Sequence, residues 1–248
     1  MRLVLKTIFY AGVAMGFALP MLLCLRGVLN SGRLPSLAFQ AGAGALMLSV
    51  RLAAAAALIA GLLALARLLA WPAERASALN VSALVLLVIP GAVLAAGMLN
   101  IQIRGADFLI APNFAPTWLA LAFALRFCYV PLRLIEEGLR GLDPDLLDSA
   151  ALLGQTRLAS AFSIALPLTA GHFAAAAALV FVLALGEVPL AAVLAPPGLS
   201  PATIWLFNQQ HMGYDEGVFA LSLLLGIAAG TAIFIGSFVI RWVSQRKT

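Results

Sequence analysis

The residues that could do chemistry in this sequence are few, and their spacing limits what they can do. The chain has ten Asp and Glu residues, two His and two Cys. Its Ser, His and Asp residues form no recognisable nucleophilic arrangement, and it contains no G-x-x-x-x-G-K-[ST] motif for phosphates. His172 and Glu187 would lie about 22 Å apart on one helix, too far to share a metal ion. The sequence therefore predicts no catalytic residues, no metal site and no cofactor in this chain.

Three charged residues fall inside apolar stretches, where a charge is costly and tends to be functional. Arg126 lies toward one end of its stretch, and we interpret its long side chain as reaching the water layer. Arg51 and Glu187 lie at similar depth in two other stretches. That placement allows an ion pair between Arg51 and Glu187, or a position for both along a transport pathway.

The elements that position these residues are long apolar segments. The sequence is 63% hydrophobic and 10% charged, with a mean hydropathy of +1.06, which excludes a soluble domain. Its apolar runs are continuous and lack the alternation of barrel strands, so they predict an all-α integral membrane protein. We predict about six transmembrane helices, each near the length needed to cross the hydrocarbon core. Their approximate bounds are 8–25, 46–70, 79–99, 116–132, 167–190 and 218–240.

The basic residues predict how these helices are oriented. The formal net charge is +5, but the basic residues lie between apolar spans and form no contiguous patch, so we expect no nucleic-acid partner. With the N-terminus inside, the outer side holds only Arg26, Arg33 and Arg104. We therefore expect both termini in the cytoplasm of a bacterial cell, with the protein in its inner membrane.

Two further features are expected to be structural. The N-terminal apolar run follows a basic start like that of a signal peptide, but no small-x-small cleavage site follows it, so we expect an uncleaved first helix. Cys24 and Cys128 fall within or beside apolar segments, where they are expected to act as small hydrophobic residues.

A large share of the few charges lies in the segment 133–166, between the fourth and fifth predicted spans. Asp143 before Pro144 predicts a helix N-terminus. Apolar residues at helical spacing follow, and Gly154 predicts the end of that helix. A second helical run is expected from about Arg157 to Pro167. An amphipathic helix that is partly apolar yet outside the bilayer indicates a protein partner.

This segment resembles the EAA loop of binding-protein-dependent ABC importer permeases. That loop reads E-A-A, three residues, G, nine residues, I-x-L-P. Here Asp148-Ser149-Ala150 is followed after three residues by Gly154, and after nine more by Ile164-Ala165-Leu166-Pro167. Asp148 and Ser149 are conservative departures from Glu and Ala, whereas the spacing, the glycine and the terminal motif match.

Two other motifs resemble the same family. Val88-Ile89-Pro90-Gly91 is similar to its Pro-Gly-containing helix, and Gly186-Glu187 to the Gly-Glu of ferric iron, thiamine, sulfate and molybdate permeases. The resemblance implies a type I importer permease half. It covers a core at 46–242, after a first helix and outer connection at 1–45 and before a tail at 243–248. It also implies that the chain pairs with a second half, two ABC ATPase subunits that bind ATP and Mg, and an external solute-binding protein.

The resemblance also implies roles for individual residues. Those implied to couple the chain to the ATPase are Asp148, Ser149, Ala150, Leu153 and Gly154, and those implied to anchor the loop are Ile164, Leu166 and Pro167. The pathway candidates are Pro90, Gly91, Gly186, Glu187 and Arg51. A secondary transporter and a membrane-embedded enzyme are the alternatives. The first favours paired broken helices or internal repeats, and the second needs clustered polar residues at membrane depth.

Overall fold

The computed structural model describes residues 11–12, 14–30, 36–69, 76–105, 115–195, 198–213 and 215–245. Within these ranges every regular element is a helix and there is no strand, which confirms the all-α prediction for this part of the chain. Two π-helical turns, Ala14–Ala18 and Ala161–Ala165, precede α1 and α9. The α-helices are α1 Leu19–Asn30, α2 Ser36–Leu69, α3 Ala76–Val88, α4 Gly91–Arg104, α5 Ala115–Phe127, α6 Tyr129–Arg140, α7 Pro144–Leu152, α8 Arg157–Ser160, α9 Leu166–Leu185, α10 Pro189–Leu194, α11 Ala202–His211 and α12 Asp215–Gln245.

Three of the described helices are long and apolar enough to cross a membrane by themselves: Gly42–Leu69, Arg157–Leu185 and Gly217–Val243. Two bent pairs, α3 with α4 and α5 with α6, raise the number to five if each pair is one span. Met15–Asn30 is a shorter apolar helix, and the start of the first predicted span lies outside the described residues. The count of six spans therefore stays a prediction.

The break between α3 and α4 is larger than the sequence predicts. We expected a kink within one span at 79–99, but the axes of Leu79–Val88 and Gly91–Arg104 differ by 106°. Pro90 has no N–H for the preceding turn, and its ring disfavours helical geometry at Ile89. Pro90 accordingly adopts an extended conformation, with φ −52° and ψ 131°.

A second proline bends the next pair of helices. Pro131 lies in the first turn of α6 and cannot donate to the carbonyl of Phe127, and the α5 and α6 axes differ by 49°. The helix then continues to Arg140, whereas the sequence analysis ended this span at 132. The helix that contains most of the fifth predicted span, 167–190, also has different ends. The helix runs unbroken from Arg157 to Leu185, and Pro189 starts a separate helix.

The chain divides into two compact units, of which the first comprises Met1–Ser49 and Leu199–Ala228. Its core contains Ala45 of α2, Ala202 of α11 and Leu221 of α12, with Trp205 and Leu206 packed against them. The hydroxyl of Ser49 accepts a hydrogen bond of 2.7 Å from the backbone N–H of Ala202. This buried bond satisfies an amide in the first turn of α11, which has no acceptor within its own helix.

Replacing Ser49 by alanine is expected to lower the stability of the folded chain by about 1–3 kcal/mol, because the buried amide of Ala202 loses its acceptor. Thermal unfolding of the purified protein in detergent checks this. Ser237→Ala, on an exposed face of α12, is the matched control and should leave the unfolding midpoint unchanged. Equal midpoints for the two variants would contradict the expectation.

The second unit comprises Val50–Gly198 and Ala229–Thr248. α9 packs along α6 and α5, α3 packs on α5 and α6, and α10 packs on α4 and α5. A core cluster joins the end of α2 to α6 and to the start of α9. Its members are Ala64, Leu68, Ile135, Leu139 and Ala165, with Leu142, Leu166 and Phe173 packed against them.

Candidate functional site

Apart from Arg51 on α2, the predicted site residues fall in or beside two places, both within the second unit. One is the segment 133–166, here called the EAA-like loop. The other is the point at which the α3–α4 break meets the α9–α10 break, here called the break cluster and defined as Gly91, Arg126, Glu187 and Pro189.

The helix at the centre of the EAA-like loop begins as the sequence predicts. Asp143 is extended at the N-cap, and its carboxylate accepts a hydrogen bond of 3.1 Å from the N–H of Asp145. Pro144 occupies the first helical position, where a missing N–H costs nothing. The negative charge of Asp145 in the first turn also interacts favourably with the positive end of the helix dipole. Local chemistry therefore fixes the start of α7.

The end of α7 is fixed equally firmly. Gly154 has a φ of +81°, a left-handed conformation that disfavours any residue with a Cβ. Its N–H donates to the carbonyl of Ala151 at 3.0 Å, and the N–H of Gln155 donates to the carbonyl of Ala150 at 3.0 Å. These two bonds form a Schellman motif, which satisfies carbonyls that the helix end leaves free. The prediction that Gly154 ends this helix is confirmed.

The predicted coupling residues differ in exposure. Asp148, Ser149, Leu153 and Gly154 are exposed, whereas Ala150 is buried within the chain. Ala150 therefore packs inward and is not part of the exposed surface of α7. The most exposed apolar side chains in the loop are Leu152 at 89% and Leu153 at 83%, with Leu146 and Leu158 also exposed.

The anchor end of the loop passes directly into α9. Thr156 caps α8 by accepting a hydrogen bond of 3.3 Å from the N–H of Ala159. Ile164 and Leu166 are half-buried, and Leu166 packs against the core cluster. Pro167 is exposed and does not begin a new helix, since the helix is continuous from Arg157. The loop is thus joined to the membrane helix without a flexible link.

The break cluster brings two of the pathway candidates, Gly91 and Glu187, close to Arg126. Nε of Arg126 lies 3.3 Å from Oε2 of Glu187, and the two side chains are 16% and 8% exposed. The interpretation of Arg126 as a side chain reaching the water layer is therefore wrong. So is the ion pair of Arg51 with Glu187, because Arg126 takes that place.

Two other candidates, Pro90 and Gly186, adjoin this cluster in the sequence. Pro90 forms the α3–α4 break, and Gly186 caps the C-terminus of α9. Arg51 is exposed on α2. The role of these residues along a pathway stays a prediction.

The sequence analysis missed a second charged cluster, centred on Glu136 of α6. Its carboxylate accepts hydrogen bonds from Asn80 Nδ2 at 2.6 Å, Arg133 Nη1 at 2.9 Å and Arg140 Nη2 at 2.7 Å. The arginines lie three and four residues from Glu136 on one helix, a spacing readable from the sequence. The long-range partner Asn80 on α3 is not. This cluster ties α3 to α6.

No group of three or more His, Cys, Asp or Glu side chains that could hold a metal ion is found among the residues that the structure describes.

Comparison with known sequences places these features in a wider set of proteins. A family model described as binding-protein-dependent transport system inner membrane component matches residues 57–248. The putrescine transport system permease protein PotI of Escherichia coli strain K12 is 29% identical over 132 residues. The same protein of Escherichia coli O6:H1 strain CFT073 matches equally. The match covers 52% of this chain and 46% of each relative, so the chain spans about half the length of the curated relatives it matches.

Two solved structures have a similar fold at 16% identity, a level that shows the fold alone. One is a bacterial ABC transporter involved in the import of the acidic polysaccharide alginate, with a TM-score of 0.67 and coverage of 98% of this chain and 94% of that chain. The other is a bacterial alginate ABC transporter in complex with an alginate pentasaccharide-bound periplasmic protein. Its TM-score is 0.69, with coverage of 98% and 93%.

Proposed function

Because the chain belongs to the family of binding-protein-dependent transport system inner membrane components, we propose that it is the permease half of an ATP-driven importer. It moves a solute inward by alternating access, in a dimer with a second half of the same fold. Separate ATPase subunits bind ATP and Mg, and an external binding protein delivers the solute. The chain itself catalyses no reaction. It lies in the bacterial inner membrane with both termini in the cytoplasm.

The observation that carries this proposal is the exposed apolar surface of the EAA-like loop. Leu152 and Leu153 lie at the end of a short helix that is capped at both ends, and both are more than four-fifths exposed. Two leucines held in this way on a rigid helix favour a partner that buries them. The groove of an ATPase subunit is such a partner.

The charge of α7 argues against a lipid surface as that partner. Asp143, Asp145 and Asp148 are all exposed on this short helix and its cap. An acidic helix is repelled by an anionic leaflet, which attracts Lys and Arg. The same carboxylates would complement basic groups on an ATPase.

The position of the loop accounts for how ATP binding would move the membrane helices. α6 leads into α7, α8 and the π-helical turn lead from α7 into α9, and α6 packs along α9. When the ATPases close, the two coupling helices approach each other. Each pushes a pair of packed helices, so the pathway changes its accessible side.

The test is the double replacement of Leu152 and Leu153 by aspartate. Each buried leucine is worth about 1.5–3 kcal/mol, so the amount of ATPase that co-purifies with the tagged chain is expected to fall by at least about tenfold. Pull-down from the native membrane in detergent measures this. Because both side chains are exposed in the free chain, its unfolding midpoint should stay the same.

Leu152→Met with Leu153→Met is the matched control, since methionine keeps an apolar side chain of similar volume and should retain the ATPase. Equal recovery of the ATPase with the aspartate variant would show that the loop is not the docking site. No ATPase with the unaltered chain, when it is folded and abundant, would favour the secondary-transporter alternative.

A further inference from the structure

Two helix breaks of the second unit meet at one ion pair. The chain turns at Pro90 between α3 and α4, and again at Gly186–Val188 between α9 and α10. Arg126 comes from a third helix, α5. It lies 3.3 Å from the carboxylate of Glu187 in one break and 3.3 Å from the carbonyl of Ile89 in the other.

The pair compensates for what each break leaves unsatisfied. In an unbroken helix the carbonyl of Ile89 would accept from the N–H of Val93, but that N–H donates to Pro90 at 2.9 Å. Nη1 of Arg126 supplies a donor to Ile89 in its place. At the other break, Oε1 of Glu187 accepts from the N–H of Leu190 at 3.2 Å, in the first turn of α10. One ion pair therefore serves two helix ends.

The atoms around this ion pair are closely packed. A Cβ atom on Gly91 would lie 2.6 Å from Nη1 of Arg126, 2.9 Å from Oε1 of Glu187 and 2.9 Å from Cβ of Pro189. The start of α4 therefore rests directly on the pair and on the start of α10. Removing one partner of a largely buried ion pair leaves the other charge uncompensated, which is strongly unfavourable.

α4 and α10 also pack on each other beyond the break cluster. Leu190, Ala191 and Leu194 of α10 are buried, as are Ala95 and Met98 of α4. The two short helices thus form one packed pair. Among the polar contacts described above, the ion pair is what joins this pair to α5.

We propose that Arg126 is a positioning residue of the importer: its ion pair with Glu187 fastens α4 and α10 to α5, so that these two helices move with α5 as one body in the transport cycle. This proposal rests on the proposed function for the cycle itself. That the ion pair fastens α4 and α10 to α5 does not depend on the proposed function, and the basal labelling rate tests it separately. It concerns a residue to which the sequence analysis gave no role.

The experiment follows a thiol on α4. In a chain with Cys24→Ala and Cys128→Ala, Asn100→Cys places one reactive thiol at an exposed position. A membrane-impermeant maleimide is the probe, and its labelling rate is measured with and without trapped ATP and vanadate in the complex with the ATPase. In the chain that keeps Arg126 and Glu187, we expect the labelling rate to differ between the complex with trapped nucleotide and the complex without it.

Arg126→Gln and Glu187→Gln are expected to raise the basal labelling rate by at least about fivefold and to abolish its dependence on nucleotide. The combined Arg126→Gln, Glu187→Gln variant should behave like either single variant, because all three lack the same interaction. The exchanged pair, Arg126→Glu with Glu187→Arg, should recover the nucleotide dependence at least in part. Arg104→Gln, an exposed charge at the other end of α4, is the matched control and should change nothing.

Nucleotide-dependent labelling that survives in both single variants would overturn the proposal, and so would additive effects in the combined variant. If the exchanged pair does not fold, the three glutamine variants decide. If the unaltered chain binds no ATPase or ignores nucleotide, the proposed function fails instead. The fastening is then judged on basal labelling alone, where equal rates in native and variant chains would overturn it.

Discussion

Replacing Gly138 by leucine is expected to abolish solute uptake while the chain still binds its ATPase. Gly138 lies where α6 crosses α9, and a Cβ atom there would lie 2.8 Å from Nδ1 and 2.9 Å from Cγ of His172. It would also lie 3.1 Å from Cγ2 of Thr169, which is fully buried. Because the His172 ring lies against the backbone of α6 at Gly138, a larger side chain at this position would force α6 and α9 apart. Overpacking of this kind costs about 1–3 kcal/mol or more.

The functional effect follows from what this crossing holds together. α6 and α9 are the two long helices before and after α7 and α8, and their packing is continued by Ile135 and Leu139 against Ala165. When they are packed, a push on α7 displaces both. On the proposed function, wedging them apart should leave Leu152 and Leu153 available to the ATPase, while the motion of the loop should no longer reach the membrane helices as a unit.

Uptake of the solute and ATP hydrolysis in reconstituted vesicles measure this effect. The expected result for Gly138→Leu is hydrolysis without uptake, together with a lower unfolding midpoint. Gly141→Leu, one turn further on, is the matched control. A Cβ there would lie 3.6 Å from the carbonyl oxygen of Gly138, and the residue is exposed. Normal uptake in the Gly138 variant would show that this crossing does not transmit the push.

Features whose chemistry is local could be predicted from the sequence. The helix at Pro144–Leu152 begins where Asp143 and Pro144 predict it and ends at Gly154, because caps and left-handed residues act within a few positions of themselves. The long apolar helices were found for the same reason, since hydropathy is summed along one segment.

Contacts that depend on bends in the helices could not be predicted from the depth of each residue in its span alone. Arg51 was paired with Glu187 because straight spans place the two at similar depth. The 106° turn at Pro90 and the separate helix at Pro189 change which side chains meet, and Arg126 takes that position. The sequence marks each proline but gives neither the direction nor the size of the turn.

The extent of α6 was missed because the fourth span was ended at 132 and the charges that follow were assigned to a segment between two spans. Glu136 lies between Arg133 and Arg140 at distances of three and four residues, and both arginines pair with its carboxylate on one helix. The sequence contains this spacing. What it does not contain is Asn80, 56 residues earlier, which reaches the same carboxylate from α3.

Replacing Glu136 by lysine is expected to be the most destabilising change of a single charge in this cluster. The native carboxylate is the common acceptor of Asn80, Arg133 and Arg140, at a residue only 8% exposed. Lysine removes every acceptor and adds a third positive charge beside the two arginines. Breaking a buried network of this kind costs about 3–5 kcal/mol, although Arg140 contributes less because it is largely exposed.

The amount of folded chain in the membrane and its unfolding midpoint in detergent test this expectation. Glu137→Lys changes the same charge at the next position, where the side chain is exposed, and should be nearly neutral. The unfolding midpoint of Glu136→Gln should lie between those of the two lysine variants, because its amide oxygen can still accept from Asn80 while the charge is lost. If Glu136→Lys unfolds at the same temperature as Glu137→Lys, the cluster does not hold α3 to α6. The packing of Ile135 and Leu139 in the core of this unit would then be sufficient without it.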